Sequence, residues 1–74
     1  MLPSIWTVYD SPTDYPGKIV ARLFVGDSEG YKPSDTIIIT DNLDIMREIM
    51  LTQMYLTCIN RQPDDDPKIV EVWL

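Results

Sequence analysis

Residues 36–53, TIIITDNLDIMREIMLTQ, decide the fold because a β-branched run gives way there to a helical pattern. Residues 36–40 favour a strand, since β-branched side chains pack well on a pleated surface. The apolar residues that follow are spaced as on one stripe of a helix. They are Leu43, Ile45, Met46, Ile49 and Met50. We predict a helix over 42–53, with Asp41 as its N-cap and Asp44 in the first turn, where a helix favours negative charge.

Segments of strand character surround this helix. Residues 18–25 alternate between two faces, and the runs near both ends of the chain are rich in β-branched and aromatic residues. Prolines, glycines and aspartates mark the loops. We predict strands at 4–9, 18–25, 36–40, 55–59 and 68–74, and loops at 10–17, 26–33 and 60–67. The order β-β-β-α-β-β indicates one α+β domain over 1–74: a small, mainly antiparallel sheet of four or five strands with one helix packed on one face.

The charge of the chain restricts its partners. Twelve acidic residues against six basic ones give a net charge of −6. This balance disfavours direct nucleic-acid binding and anionic membrane surfaces, and it favours a protein with a basic surface. No apolar run approaches the roughly 20 residues of a membrane span, and residues 1–6 lack the pattern of a signal peptide. We therefore expect a cytoplasmic protein. Its small size and aromatic terminal strands, with Trp6 and Trp73, favour a homodimer.

Catalytic chemistry has little support in the composition. The chain has no histidine and one cysteine, Cys58, which excludes a Cys–His pair, a zinc cluster of the usual ligands and an internal disulfide. We expect Cys58 and the three helix methionines to be core residues. Residues 64–66 are three aspartates between two prolines, a spacing that favours a solvated turn over a Mg²⁺ or Ca²⁺ site. We predict no enzyme activity, no metal and no cofactor.

Two loops combine aspartate with proline, at 9–16 and 61–67, and the first also contains Tyr9 and Tyr15. Proline stiffens both, which lowers the entropy lost on binding, and the two loops could lie at the same end of the sheet. We predict a negative binding rim there, with tyrosine and arginine supplying contact area. Its residues are Tyr9, Asp10, Asp14, Tyr15, Arg22, Asp64, Asp65 and Asp66. The alternative interpretation is that both loops are only well-capped turns.

Two segments together resemble a known group of proteins. Residues 9–16 read YDSPTDYP and residues 65–73 read DDPKIVEVW. They are similar to a group of small uncharacterised proteins of bacteria and their phages, which share a Tyr-Asp-x-Pro-x-Asp-Tyr/Phe-Pro start and an Asp-Asp-Pro-x-Ile-Val-Glu-x-Trp end. Members often have histidine where this chain has Ser11. The resemblance implies a phage or mobile-element accessory protein, a class in which many members inhibit host defence by binding.

These observations lead to one functional hypothesis and two alternatives. The leading hypothesis is a non-enzymatic binding protein, a phage or mobile-element inhibitor of a host defence protein. The first alternative is a protein that sequesters a small ligand or nucleotide, with an oligomer forming pockets from Tyr, Trp and Arg side chains. The second is a small hydrolase that uses carboxylates as acid and base.

Overall fold

The computed structural model describes residues 3–59 and 67–74, which form five strands and one helix that ends in a π-helical turn. The elements are β1 (Ser4–Asp10), β2 (Ile19–Asp27), β3 (Gly30–Thr40), α1 (Leu43–Glu48) continued by the π-helical turn Ile49–Gln53, β4 (Cys58–Ile59) and β5 (Ile69–Trp73). The strands pair antiparallel in the order β3-β2-β1-β5-β4. The predicted α+β fold and its β-β-β-α-β-β order are confirmed.

The helix begins one residue later than the sequence predicts. Asn42, not Asp41, is the N-cap, and its Oδ1 accepts a hydrogen bond from the backbone N–H of Ile45 at 2.9 Å. Because β3 continues to Thr40 and α1 begins at Leu43, Asn42 is the residue directly before the first helical turn. Asp41 instead pairs with Lys18, and this hydrogen bond and the lysine charge lower the pKa of its carboxyl.

Methionines form the helix side of the core. Met46 and Met50 are fully buried against sheet residues that include Trp6 and Trp73, and Met54 packs at the edge of this cluster. The predicted stripe is wrong at its margins, because Ile45 is exposed and Ile49 only half-buried. After Glu48 the helical turn becomes wider, as in a π-helix. The N–H of Met54 donates to the carbonyl of Ile49, five residues earlier, at 3.1 Å. The wider turn keeps residues 46, 50 and 54 towards the sheet.

The predicted loop at 26–33 is wrong. β2 and β3 form a hairpin in which Asp27 pairs with Gly30, leaving Ser28 and Glu29 as the turn. Gly30 has φ 112°, which suits glycine, and Asp27 Oδ1 accepts from the backbone N–H of Glu29 at 2.8 Å. Pro33 lies within β3 because β3 is an edge strand, where a proline removes no ladder bond from the sheet interior.

Both edges of the sheet are irregular. The register of β3 shifts between the partners of Arg22 and Phe24, and Ser34 fills the gap by donating its hydroxyl to the carbonyl of Leu23 at 2.8 Å. At the other edge, β4 is only Cys58–Ile59. Cys58 is exposed there, so its predicted place in the core is wrong. Such short or bulged edges hinder pairing with another sheet.

A bulge alters the faces of the last strand. Val8 pairs with Glu71 and Tyr9 with Ile69, so Val70 is an extra residue in β5. Val70 packs against the core on the same side as Trp73, which simple alternation does not predict. Among the described residues, none of the helical segments is long and apolar enough to cross a membrane.

Candidate functional site

The connection between β1 and β2 is tied to the strands beside it. The N–H of Ser11 donates to the carbonyl of Lys18, and the N–H of Asp10 donates to the carbonyl of Lys68, each at 2.8 Å. Within the loop, Gly17 has φ 77° and donates its N–H to the Ser11 hydroxyl at 3.3 Å. The loop, residues 11–18, therefore has a defined path at the end of the sheet.

We call this end of the sheet the loop end. It holds residues 10–18, residues 41–42 and residues 67–68, because β1 and β3 finish there while β2 and β5 begin. Lys68 donates from Nζ to the Thr13 hydroxyl at 3.3 Å, which connects the start of β5 with the first loop. The first predicted loop lies at this end, and of the second predicted loop only Pro67 is described. Asp64, Asp65 and Asp66 lie outside the described residues.

The sheet has a second face, opposite α1, which we call the open face. Strand alternation and the register place on it Ile5, Thr7, Tyr9, Val20, Arg22, Phe24, Ile37, Ile39 and Val72. Arg22 is the charged member of this set, with Thr7 opposite it on β1 and Ile37 opposite it on β3. The open face is thus largely apolar around one guanidinium group.

A pocket of about 220 Å³ lies between the loop and the open face. Its lining is Tyr9, Pro12, Asp14, Val20 and Arg22. The register explains the strand part of this set: Tyr9 pairs with Val20, and Arg22 is two residues further along β2 on the same face. Val20 is 1% exposed and supplies an apolar part of the pocket wall.

The charged pair in the pocket is loosely connected. Arg22 Nη2 lies 3.5 Å from Asp14 Oδ2, at the outer limit of a hydrogen bond. The side chains remain 33% and 59% exposed, respectively. A guanidinium has five N–H donors in a fixed fork, so this one long contact with a described residue leaves most of the donors of Arg22 for a ligand.

Three of the five predicted site residues that the structure describes meet in this pocket, namely Tyr9, Asp14 and Arg22. Asp10 does not line it, because its partner in the register is the core residue Ile19, which places it on the helix side. Tyr15 stays in the loop, where its carbonyl accepts from the N–H of Lys18 at 3.3 Å.

Sequence reasoning missed Pro12 and Val20 as lining residues. Val20 could have been identified from the sequence, because it lies two residues before Arg22 on the same strand and therefore on the same face. Pro12 had none, because its place depends on how the loop folds back over the sheet.

A second polar cluster lies on the helix side of the sheet. Arg47 on α1 donates from Nε to Glu71 Oε2 at 2.9 Å, and the Glu71 side chain is only 13% exposed. Within residues 3–59 and 67–74, Glu71 Oε1 and Trp73 Nε1 are buried and have no hydrogen-bond partner. Partial desolvation and, next, the nearby Glu71 charge raise the pKa of the Cys58 thiol. This cluster is therefore a poor setting for a nucleophilic thiolate.

The thiol gives the first testable result. Cys58 is exposed, yet its raised pKa leaves less thiolate near neutral pH than a free thiol has. We expect iodoacetamide to alkylate native Cys58 more slowly than the same protein unfolded in urea at the same pH. Glu71→Gln removes the neighbouring charge and should make the native reaction faster. Equal native and unfolded rates would contradict the assigned environment.

In residues 3–59 and 67–74 no group of three or more Cys, Asp and Glu side chains is arranged to hold a metal ion. No known family model, curated protein or solved structure matches the chain. The pocket at the loop end is the candidate site on geometry alone.

Proposed function

We propose that this chain is a non-enzymatic binding protein that acts in the cytoplasm and inhibits a host protein by docking its loop end on a basic surface. The observation that supports this most is the meeting of Tyr9, Asp14 and Arg22 in one pocket, where the Asp14 side chain is 59% exposed. Together with the net charge of −6, this arrangement favours encounter with a positive surface. The resemblance to small phage proteins adds the expectation that the target belongs to the host.

The size of the pocket supports a protein partner. Sites for drug-sized ligands usually measure about 300–1,000 Å³. At about 220 Å³ this pocket is smaller, and it suits one inserted group better than a whole cofactor. A pocket that takes one anchor side chain, surrounded by polar groups, is typical of the energetic centre of a protein interface.

Affinity capture with two matched variants tests the proposal. Asp10→Asn with Asp14→Asn removes two exposed charges at the loop end, while Glu29→Gln with Asp35→Asn removes two exposed charges from the β2–β3 hairpin. We expect the wild type and the hairpin variant to capture the same host protein, and the loop-end variant to capture several-fold less. High salt should weaken the capture. Equal capture by both variants would contradict the proposed surface.

The pocket also favours a second function, the binding of a small ligand. An apolar floor with a few polar groups converging on it is the usual form of such a site. The hydrolase alternative fits less well, because a carboxylate pair is needed for that chemistry, and Asp14 is the one carboxylate that lines the pocket among the described residues.

A further inference from the structure

The pocket presents an acceptor and a donor side by side. Asp14 offers carboxylate oxygens, and Arg22 offers guanidinium N–H groups about one hydrogen-bond length away. A cation bound here would be repelled by the positive charge of Arg22, and an anion would be repelled by the negative charge of Asp14. A neutral group whose edge carries an N–H next to a carbonyl or ring nitrogen satisfies both side chains at once.

The walls of the pocket favour a flat ring. Tyr9, Pro12 and Val20 supply apolar or aromatic surface, and a guanidinium plane such as that of Arg22 also stacks on rings. A cavity of about 150 Å³ is enough to hold benzene in a protein interior. The volume of about 220 Å³ therefore accommodates one substituted heterocycle, with any attached sugar outside.

The charge of the chain selects against phosphate. With a net charge of −6 and Asp14 in the lining, a phosphorylated ligand or a nucleic-acid strand would be repelled. Nucleobases combine the required features, since each carries donors and acceptors on one planar edge.

We propose that the pocket binds a free nucleobase or nucleoside, with Asp14 accepting hydrogen bonds from N–H groups of the base and Arg22 donating to its carbonyl oxygen. Guanine fits this pattern well, because its N1–H and amino group stand beside the O6 carbonyl. The inference rests on the second candidate function, small-ligand binding, and does not require the protein partner.

Titration of ¹⁵N-labelled protein with guanosine, followed by NMR, tests it. We expect saturable shifts at the backbone amides of Tyr9, Val20 and Arg22. Asp14→Ala and Arg22→Met should each weaken binding by about fivefold to 150-fold, the range set by one good base contact. Asp35→Ala, which removes an exposed charge from β3, should bind guanosine like the wild type.

A second experiment changes the ligand and uses only the wild-type protein, so its result does not depend on whether the variants fold. In 1-methylguanosine the N1–H is replaced by a methyl group, so its binding should be at least about fivefold weaker. Equal binding of the two nucleosides, or no saturable shift at the pocket amides, would overturn the nucleobase proposal. Either result would leave the protein-capture outcome untouched, so the two proposals fail separately.

Discussion

Replacing Met50 with aspartate is expected to leave no folded protein. Met50 is fully buried between the helix and the sheet, so the substitution would place an unpaired charge in the core. An uncompensated buried ion costs several kcal/mol, and a domain of this size has a stability of only about 4–11 kcal/mol at the usual contribution per residue. Circular dichroism should show loss of the sheet signal and of the cooperative thermal transition.

Leu51→Asp is the matched control, because it introduces the same charge at the adjacent residue. Leu51 is 55% exposed, so the variant should keep its fold and lose at most about 1 kcal/mol. If Met50→Asp melts like the wild type while Leu51→Asp unfolds, the helix faces the sheet through another side than the one described.

Arg47→Met is expected to destabilise the domain by about 1–3 kcal/mol. It removes the partner of Glu71, whose side chain is 13% exposed and has one buried oxygen to which no described residue donates a hydrogen bond. Breaking a fully buried ion pair costs about 3–5 kcal/mol, and the exposure of Arg47 reduces this figure. Urea unfolding gives the change in the free energy of unfolding directly.

Two further variants test whether the loss of stability in Arg47→Met comes from the burial of Glu71. Lys18→Met breaks an exposed ion pair with Asp41 and should destabilise the domain much less than Arg47→Met does. The double variant Arg47→Met with Glu71→Leu should recover most of the loss, because no buried carboxylate is left without a partner. Equal costs for Lys18→Met and Arg47→Met would mean that the burial of Glu71 has no energetic consequence.

Periodicity predicted the parts of the fold that follow a regular repeat. The alternation over 18–25 puts Ile19 and Ala21 on one face of the strand and Arg22 on the other, as in the structure. The helical stripe identified Met46 and Met50, which are the residues that the core requires. Local pattern is informative wherever one face of an element is buried.

Features that depend on position within the sheet were missed. The sequence predicts Pro33 in a loop, but Pro33 lies within β3, where it is tolerated because β3 is an edge strand. Cys58 looks apolar in sequence and is exposed because β4 is the opposite edge. The register shift in β5 and the π-helical turn were missed as well, because the apolar periodicity of the sequence shows neither.

The candidate site was predicted in part for a related reason. Tyr9 and Arg22 lie on strands whose alternation sets their face, and Asp14 lies in a loop with an evident turn composition. The remaining lining residue from the loop, Pro12, can be identified only when the path of the loop across the sheet is known. The homodimer stays a prediction, and the irregular edges make the open face its better contact surface.

The most direct test of the proposed function is the association rate of the captured host protein with the two charge variants, measured by surface plasmon resonance. The account predicts that Asp10→Asn with Asp14→Asn slows association several-fold at low salt, with less difference at high salt. Glu29→Gln with Asp35→Asn should associate at nearly the wild-type rate. Equal slowing by both variants would show that only net charge matters, and no slowing by the loop-end variant would show that the partner binds elsewhere; either result would contradict the loop end as the binding surface.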